Sequence, residues 1–148
     1  MAERTPVFFL DATIVMYALG GPHLYREPCR KALAAVQADA IDVVTNVEVL
    51  QEILHRYRAV ADPVLAERAY ARVRDLCEVI LPVRLRDMDL AVTLLKQFPS
   101  LRTGDAIHAA TMLHAGIRRI LTTDRHFDPV KGIRRVDPAK LPKVSQPS

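Results

Sequence analysis

The chain has 148 residues, 50% of them apolar or aromatic and 26% charged. That length and balance suit one folded domain with a real core and exclude a wholly disordered chain. The net charge of +4 is uneven: Leu101 to Ser148 holds nine Lys or Arg against four acids, whereas residues 1–100 hold twelve against thirteen. A basic field of that kind favours encounter with polyanions such as nucleic acid, although a solvated surface accounts for it equally well. No apolar run approaches the roughly 18 residues of a membrane span. Val7–Leu10, preceded by an acid and a proline, is too short for the core of a secretory leader. Cys29 and Cys77 lie far apart and form neither a disulfide framework nor a zinc spacing, so each reads as core filler in a reduced, cytoplasmic protein.

In chain order, Val7–Leu10 is a short continuous apolar run and reads as a buried strand. A brief helix over Thr13–Leu19 stops at Gly20-Gly21-Pro22, and a second helix covers Tyr25–Ala38. Ile41–Val44 is the next strand. Asn46 then caps a helix carrying Val49, Leu50, Ile53, Leu54 and Tyr57 as its apolar stripe. Asp62-Pro63 opens a helix that continues to Leu76, with an acceptor at the cap and the proline where no donor is lost. Val79–Val83 is a third strand. Asp87–Phe98 is a helix with Leu90, Leu94 and Leu95 inward, and Thr103 caps a further helix ending at Gly116. Ile120–Thr122 and Ile133–Val136 are the last strands. Residues 1–137 thus form one domain, and the proline-rich 138–148 reads as a frayed tail. Strand–helix alternation throughout argues for an α/β layer with a mainly parallel sheet, in which ligands bind beyond the carboxyl ends of the strands.

Acids stand where such a fold places a site. Asp11 directly follows the first strand, Asp124 follows Thr122 after one residue, Asp105 lies in a first helical turn, and Glu52 lies in the helix after the second strand. Converging carboxylates repel one another, and a divalent cation relieves that; oxygen-only ligands select Mg²⁺ or Mn²⁺. Each acid also has an ordinary reading as a cap, a dipole partner or a turn former. Glu52 lies off the apolar stripe, where a solvated Glu paired with Arg56 is unremarkable, and Glu48 on nearly the same side is an alternative. His108, one helical turn from Asp105, reads mainly as a packing residue. No Gly-rich nucleotide loop, no Gly-x-Ser-x-Gly elbow and no base-stacking platform is evident.

Taken together, Phe8-Phe9-Leu10-Asp11-Ala12-Thr13, then Thr45-Asn46 with Glu52, then Gly104-Asp105-Ala106-Ile107-His108-Ala109-Ala110, then Leu121-Thr122-Thr123-Asp124-Arg125-His126-Phe127 resemble the PIN-domain family, and within it the VapC-type toxins. The resemblance spans residues 7–136 in order. It implies a three-layer α/β/α sandwich and a Mg²⁺- or Mn²⁺-dependent ribonuclease acting on RNA. It also implies a homodimer and a cognate antitoxin that blocks the acidic groove. By residue it implies Asp11, Glu52, Asp105 and Asp124 as the catalytic, metal-binding quartet, with Thr13 and Thr123 in support and Asp128 as an additional nearby acid. The choice of Glu52 over Glu48 comes from this resemblance. Arg125, beside the quartet, is the candidate for substrate phosphate. Two other readings stay open: a metal-free module that binds RNA or protein without cutting, and an aspartate-based phosphatase. Against the latter, Thr13 stands where that chemistry needs a second aspartate.

Overall fold

The computed structural model describes residues 5–141. Strands β1 (Val7–Leu10), β2 (Asp42–Asn46), β3 (Val79–Leu81), β4 (Arg119–Leu121) and β5 (Arg134–Val136) form one sheet in the order β3-β2-β1-β4-β5. All four strand pairs are parallel. Between β1 and β2 lie α1 (Ala12–Leu19) and α2 (Arg26–Gln37), and between β2 and β3 lie α3 (Val47–Ala59) and α4 (Pro63–Leu76). Between β3 and β4 lie α5 (Leu85–Gln97) and α6 (Thr103–Ala115). The chain first steps outward from β1 to β3, then returns to lay β4 on the free side of β1. With right-handed crossovers these two directions put α1–α4 on one face and α5–α6 on the other, the expected α/β/α sandwich. The reversal makes the gap between β1 and β4 the topological switch point, where the chain opens a crevice at the strand carboxyl ends.

The core explains these boundaries. Phe8, Phe9 and Leu10 of β1 are all buried, as a central strand covered on both faces requires. Asn46 caps α3 by accepting from the Val49 amide at 2.9 Å, and Asp62 caps α4 by accepting from Leu65 at 3.0 Å. Gly116 closes α6 at φ +73°, a left-handed conformation that favours glycine. The start of α6 differs from the sequence expectation. Thr103 is already helical and Arg102 holds the cap position, its amide donating to the Asp105 carboxylate at 3.2 Å. On α3 the buried stripe is Val49, Leu50, Ile53 and Tyr57, while Leu54 is exposed. On α5 the buried residues are Asp87, Ala91 and Leu94. Asp87 is tolerated there because its carboxylate pairs with His114 of α6 at 2.6 Å.

Both cysteines are buried and unpaired, and burial pushes their thiols up to about 12, which keeps them unreactive. At the carboxyl end of the described chain, Pro138–Lys140 form a short 3-10 turn with Pro138 buried. The rest of the expected frayed segment, 142–148, lies outside the described residues. Among the described residues no helix is long and apolar enough to cross a membrane.

Candidate metal centre

Asp11 leaves β1 at the switch point, its amide donating to the Leu121 carbonyl of β4 at 3.2 Å, so the residue is pinned where the two strands end. The side chain does not cap α1. Instead its Oδ2 accepts from Thr122 Oγ1 at 2.6 Å and from Thr13 Oγ1 at 3.0 Å. Thr122 Oγ1 in turn accepts the Asp124 amide at 3.1 Å, which ties the loop after β4 to the acid after β1. The threonine after β4 that bonds Asp11 is Thr122, where Thr123 was expected. Thr122 is fully buried, and Thr123 in the bend that follows is half-buried.

Glu52 comes from α3, and its position is set by a buried polar chain. Asn46 Oδ1 accepts the Val49 amide, so its Nδ2 is the donor to Thr111 Oγ1 at 2.9 Å and to His108 Nδ1 at 3.1 Å. His108 Nδ1 then accepts, which leaves the proton on Nε2 to donate to Glu52 Oε1 at 2.8 Å. His108 is fully buried. Burial disfavours its charge, but the hydrogen bond and charge of Glu52, with Asp11 and Asp105 behind, outweigh that and raise its pKa. Gly104, at the start of α6, makes the close approach possible: a Cβ there would collide with Glu52 Oε1. Both residues stand in the Gly104–Ala110 motif, but a histidine in Ala-Ile-His-Ala-Ala reads mainly as packing and the glycine had no assigned role. The signal in sequence was that His108 lies one helical turn from Asp105.

Asp105 projects from the first turn of α6, and Asp124 caps the 3-10 turn Arg125–Phe127 by accepting the His126 amide at 2.9 Å. Asp11, Glu52, Asp105 and Asp124 all line one cavity of about 150 Å³, together with Thr13, Glu48, Arg56, Arg102 and Gly104. Glu48 thus lines the same pocket as a fifth acid beside Glu52. Burial raises the Asp11 carboxyl above the ordinary range, against the opposing influence of His108 and the two threonine hydrogen bonds, and the Glu52 charge adds to the rise. Burial, then the charges of Asp124 and Asp11, push Asp105 up to about 6. Glu48 is also raised, by burial and by Glu52. Crowded, desolvated carboxylates of this kind are stabilised by a cation.

Potential ligand atoms fall into two sets, Asp11–Glu52–His108 and Asp105–Asp124–His126, each with all atoms within 4.8 Å of one another. In the first set both histidine nitrogens are already hydrogen-bonded, so its free capacity is carboxylate oxygen. That donor chemistry fits a hard divalent cation.

Two expected participants lie elsewhere. Asp128 is exposed and paired with Arg135 at 2.7 Å, because the turn after Phe127 directs it toward β5. Arg125 is exposed and does not line the pocket; the cations that do are Arg56 and Arg102. Part of the basic excess of the last third lies at the opposite end of the sheet. Arg118 and Arg119 precede or begin β4 and Arg134 begins β5, so a parallel sheet places them at the amino ends of the strands. The Arg119 guanidinium lies over the Phe8 ring at 4.9 Å.

Comparison with known proteins agrees with this geometry. The PIN domain family model matches residues 8–133. Ribonuclease VapC13 of Mycobacterium tuberculosis is 32% identical over 130 residues, covering 88% of this chain and 99% of that one. Among solved structures, FitAcB from Neisseria gonorrhoeae superposes with a TM-score of 0.68 at 17% identity, over 90% of this chain and 99% of that chain. A toxin–antitoxin complex from Klebsiella pneumoniae gives 0.65 at 16% identity, over 90% and 99%. With the order of its motifs, its five-stranded parallel sheet and its acidic switch-point pocket, the chain belongs to the PIN-domain family, in the VapC branch.

Proposed function

We propose that the protein is a ribonuclease that hydrolyses RNA phosphodiester bonds with Mg²⁺ or Mn²⁺ and serves as the toxin of a toxin–antitoxin pair. The observation that carries this reading is the convergence of Asp11, Glu52, Asp105 and Asp124 on one cavity at the carboxyl ends of β1 and β4. Asp11 and Asp105 would hold the ion directly, and Asp124 would do so directly or through water. A bound divalent ion supplies an activated water and stabilises the leaving oxygen, so no side-chain nucleophile is needed.

The chain's own residues do the rest. Thr13 and Thr122 fix Asp11 with two hydrogen bonds to a single oxygen, leaving Oδ1 free of both. His108 occupies Oε1 of Glu52, which frees Oε2 to orient the attacking water and take its proton. Arg56 and Arg102 at the pocket wall offset the acids and hold the scissile phosphate in place. Phosphate contacts position a strand without reading its bases, so sequence choice comes from elsewhere on the surface.

A cognate antitoxin that covers the acidic groove with a basic side chain belongs to the same reading, as does a homodimer. Leu85, Met88 and Val92, all exposed along one face of α5, give such a dimer apolar surface to bury.

Purified protein is expected to cut single-stranded RNA with Mg²⁺ or Mn²⁺ and to stop when EDTA is added. Asp105→Asn should retain the circular dichroism spectrum while cutting is lost. Cutting that survives either treatment overturns the proposal.

A further inference from the structure

His126 stands in the loop after β4 with its Nδ1 fully enclosed, and that atom has no hydrogen bond of acceptable geometry. Yet it is 3.0 Å from Asp124 Oδ1 and 3.8 Å from Asp105 Oδ2. The side chain is 40% exposed, so the ring nitrogen is enclosed by its position against the two carboxylates. It is close enough to pair with them if charged, yet it has no well-formed hydrogen bond to either, and such atoms are nearly always satisfied. The separations themselves suggest an explanation. Two donors each about 2.1 Å from one ion and at right angles stand about 3.0 Å apart, which is the spacing of neighbouring ligands in an octahedral shell. Asp124 Oδ1 already accepts the His126 amide, so the same short loop fixes both its oxygen and its nitrogen. Phe127, fully buried, anchors that loop in the core immediately after the histidine.

The other histidine among the candidate ligand atoms differs. His108 spends Nδ1 on Asn46 and Nε2 on Glu52, so it orients a carboxylate and has no lone pair to give.

We infer that His126 Nδ1 is a direct metal ligand, making Asp105–Asp124–His126 a mixed oxygen and nitrogen half-site that prefers Mn²⁺ to Mg²⁺. Mg²⁺ holds its waters and takes oxygen ligands, whereas first-row transition-metal dications accept imidazole. The half of the pocket built on Asp11 and Glu52 offers oxygen only and lacks that preference. The inference rests on the reading of the pocket as a cation site and adds to it which atom sets the choice of ion.

The test uses Mn²⁺ alone on the purified, metal-stripped protein. Pulsed electron paramagnetic resonance of the Mn²⁺ complex should show coupling to a directly bound ¹⁴N, and His126→Ala should remove it. By calorimetry the same variant should lose about tenfold or more in Mn²⁺ affinity while Mg²⁺ affinity shifts far less, and His126→Gln should behave alike. Thermal melts of both variants, without metal, check that the fold is intact. If His126 only neutralises its acidic neighbours as a cation, its removal should instead tighten Mn²⁺ and Mg²⁺ together, and that result overturns the inference. So does nitrogen coupling that persists in His126→Ala, or none in the unaltered protein. Should the unaltered protein bind Mn²⁺ and cut RNA without nitrogen coupling, only this inference fails; should it bind no cation, the nuclease reading fails with it.

Discussion

The two ends of the sheet each carry a cluster of acids beside a cavity, and the two differ in how those acids are held. At the amino ends of the strands, Asp39, Asp42, Asp75 and Glu78 line a space of about 650 Å³ with Arg72 among them. It is more than four times the volume of the cavity around Asp11 and Asp105. Yet all four of its acids are exposed, each with water to solvate it. At the carboxyl ends, Asp11 and Asp105 are buried, and Asp11 is held by two threonine hydroxyls. Glu52 is held by a histidine that is itself held by an asparagine. The number of carboxylates and the size of the space are poor guides. What distinguishes the site is that its acids have lost their water and gained fixed partners, so the repulsion among them is strong enough for a cation to relieve.

That contrast can be broken by substitution. Asp11→Asn removes a central charge from the pocket while preserving its shape, and RNA cutting should fall by at least about 10²–10³-fold in a single-turnover assay. Gly104→Ala should come next. The added methyl displaces Glu52, whose flexible side chain yields without unfolding the helix. Cutting should drop about 10–100-fold with little change in melting temperature.

A third effect appears in stability. With its pKa raised to about 6, Asp105 binds a proton in the folded chain over a range where the unfolded chain has released it. Stability of the metal-free protein should therefore fall as pH rises from about 4 to about 6, by roughly 2–3 kcal/mol from this group. Asp11, also raised, acts with the same sign. Urea unfolding in EDTA at several pH values measures the slope, and Asp105→Asn should flatten it. The smallest effects belong to the other end of the molecule. Asp42→Asn and Asp75→Asn should leave cutting unchanged, and Asp128→Ala should cost under about 1 kcal/mol, because its ion pair with Arg135 is exposed on the carboxylate side.

The same contrast bounds what the sequence could reveal. Strands, the caps at Asn46 and Asp62 and the end of α6 were legible because their causes are local: a short apolar run, an acceptor three residues before its amide, a glycine where φ is positive. Asp11, Asp105 and Asp124 could be set beside one strand edge from the α/β pattern, whereas the choice of Glu52 came only through the resemblance to the PIN family, since helix geometry alone leaves Glu52 and Glu48 nearly equivalent. What stayed hidden depends on tertiary register. Thr122 and Thr123 are indistinguishable until β4 is paired with β1 and one of them is seen to face Asp11. His108 looks like packing until Asn46 of β2 and Glu52 of α3 reach it from different elements. Leu54 extends the apolar stripe of α3 in a helical projection but lies on its exposed margin. The basic residues of the last third looked like a phosphate grip, but a parallel sheet sends the amino ends of β4 and β5 away from the pocket. Arg102 is the member of that group on the pocket wall, and Arg56 joins it from α3.

The central claim is that these particular carboxylates share a cation. Its most direct test is a calorimetric titration of Mn²⁺ into the metal-stripped protein and into an Asp11→Asn, Asp105→Asn double variant, with melting curves recorded on both. The unaltered protein should bind Mn²⁺ and melt at a higher temperature once loaded, while the double variant should remain folded and do neither. Equal Mn²⁺ binding by the two proteins would contradict the account.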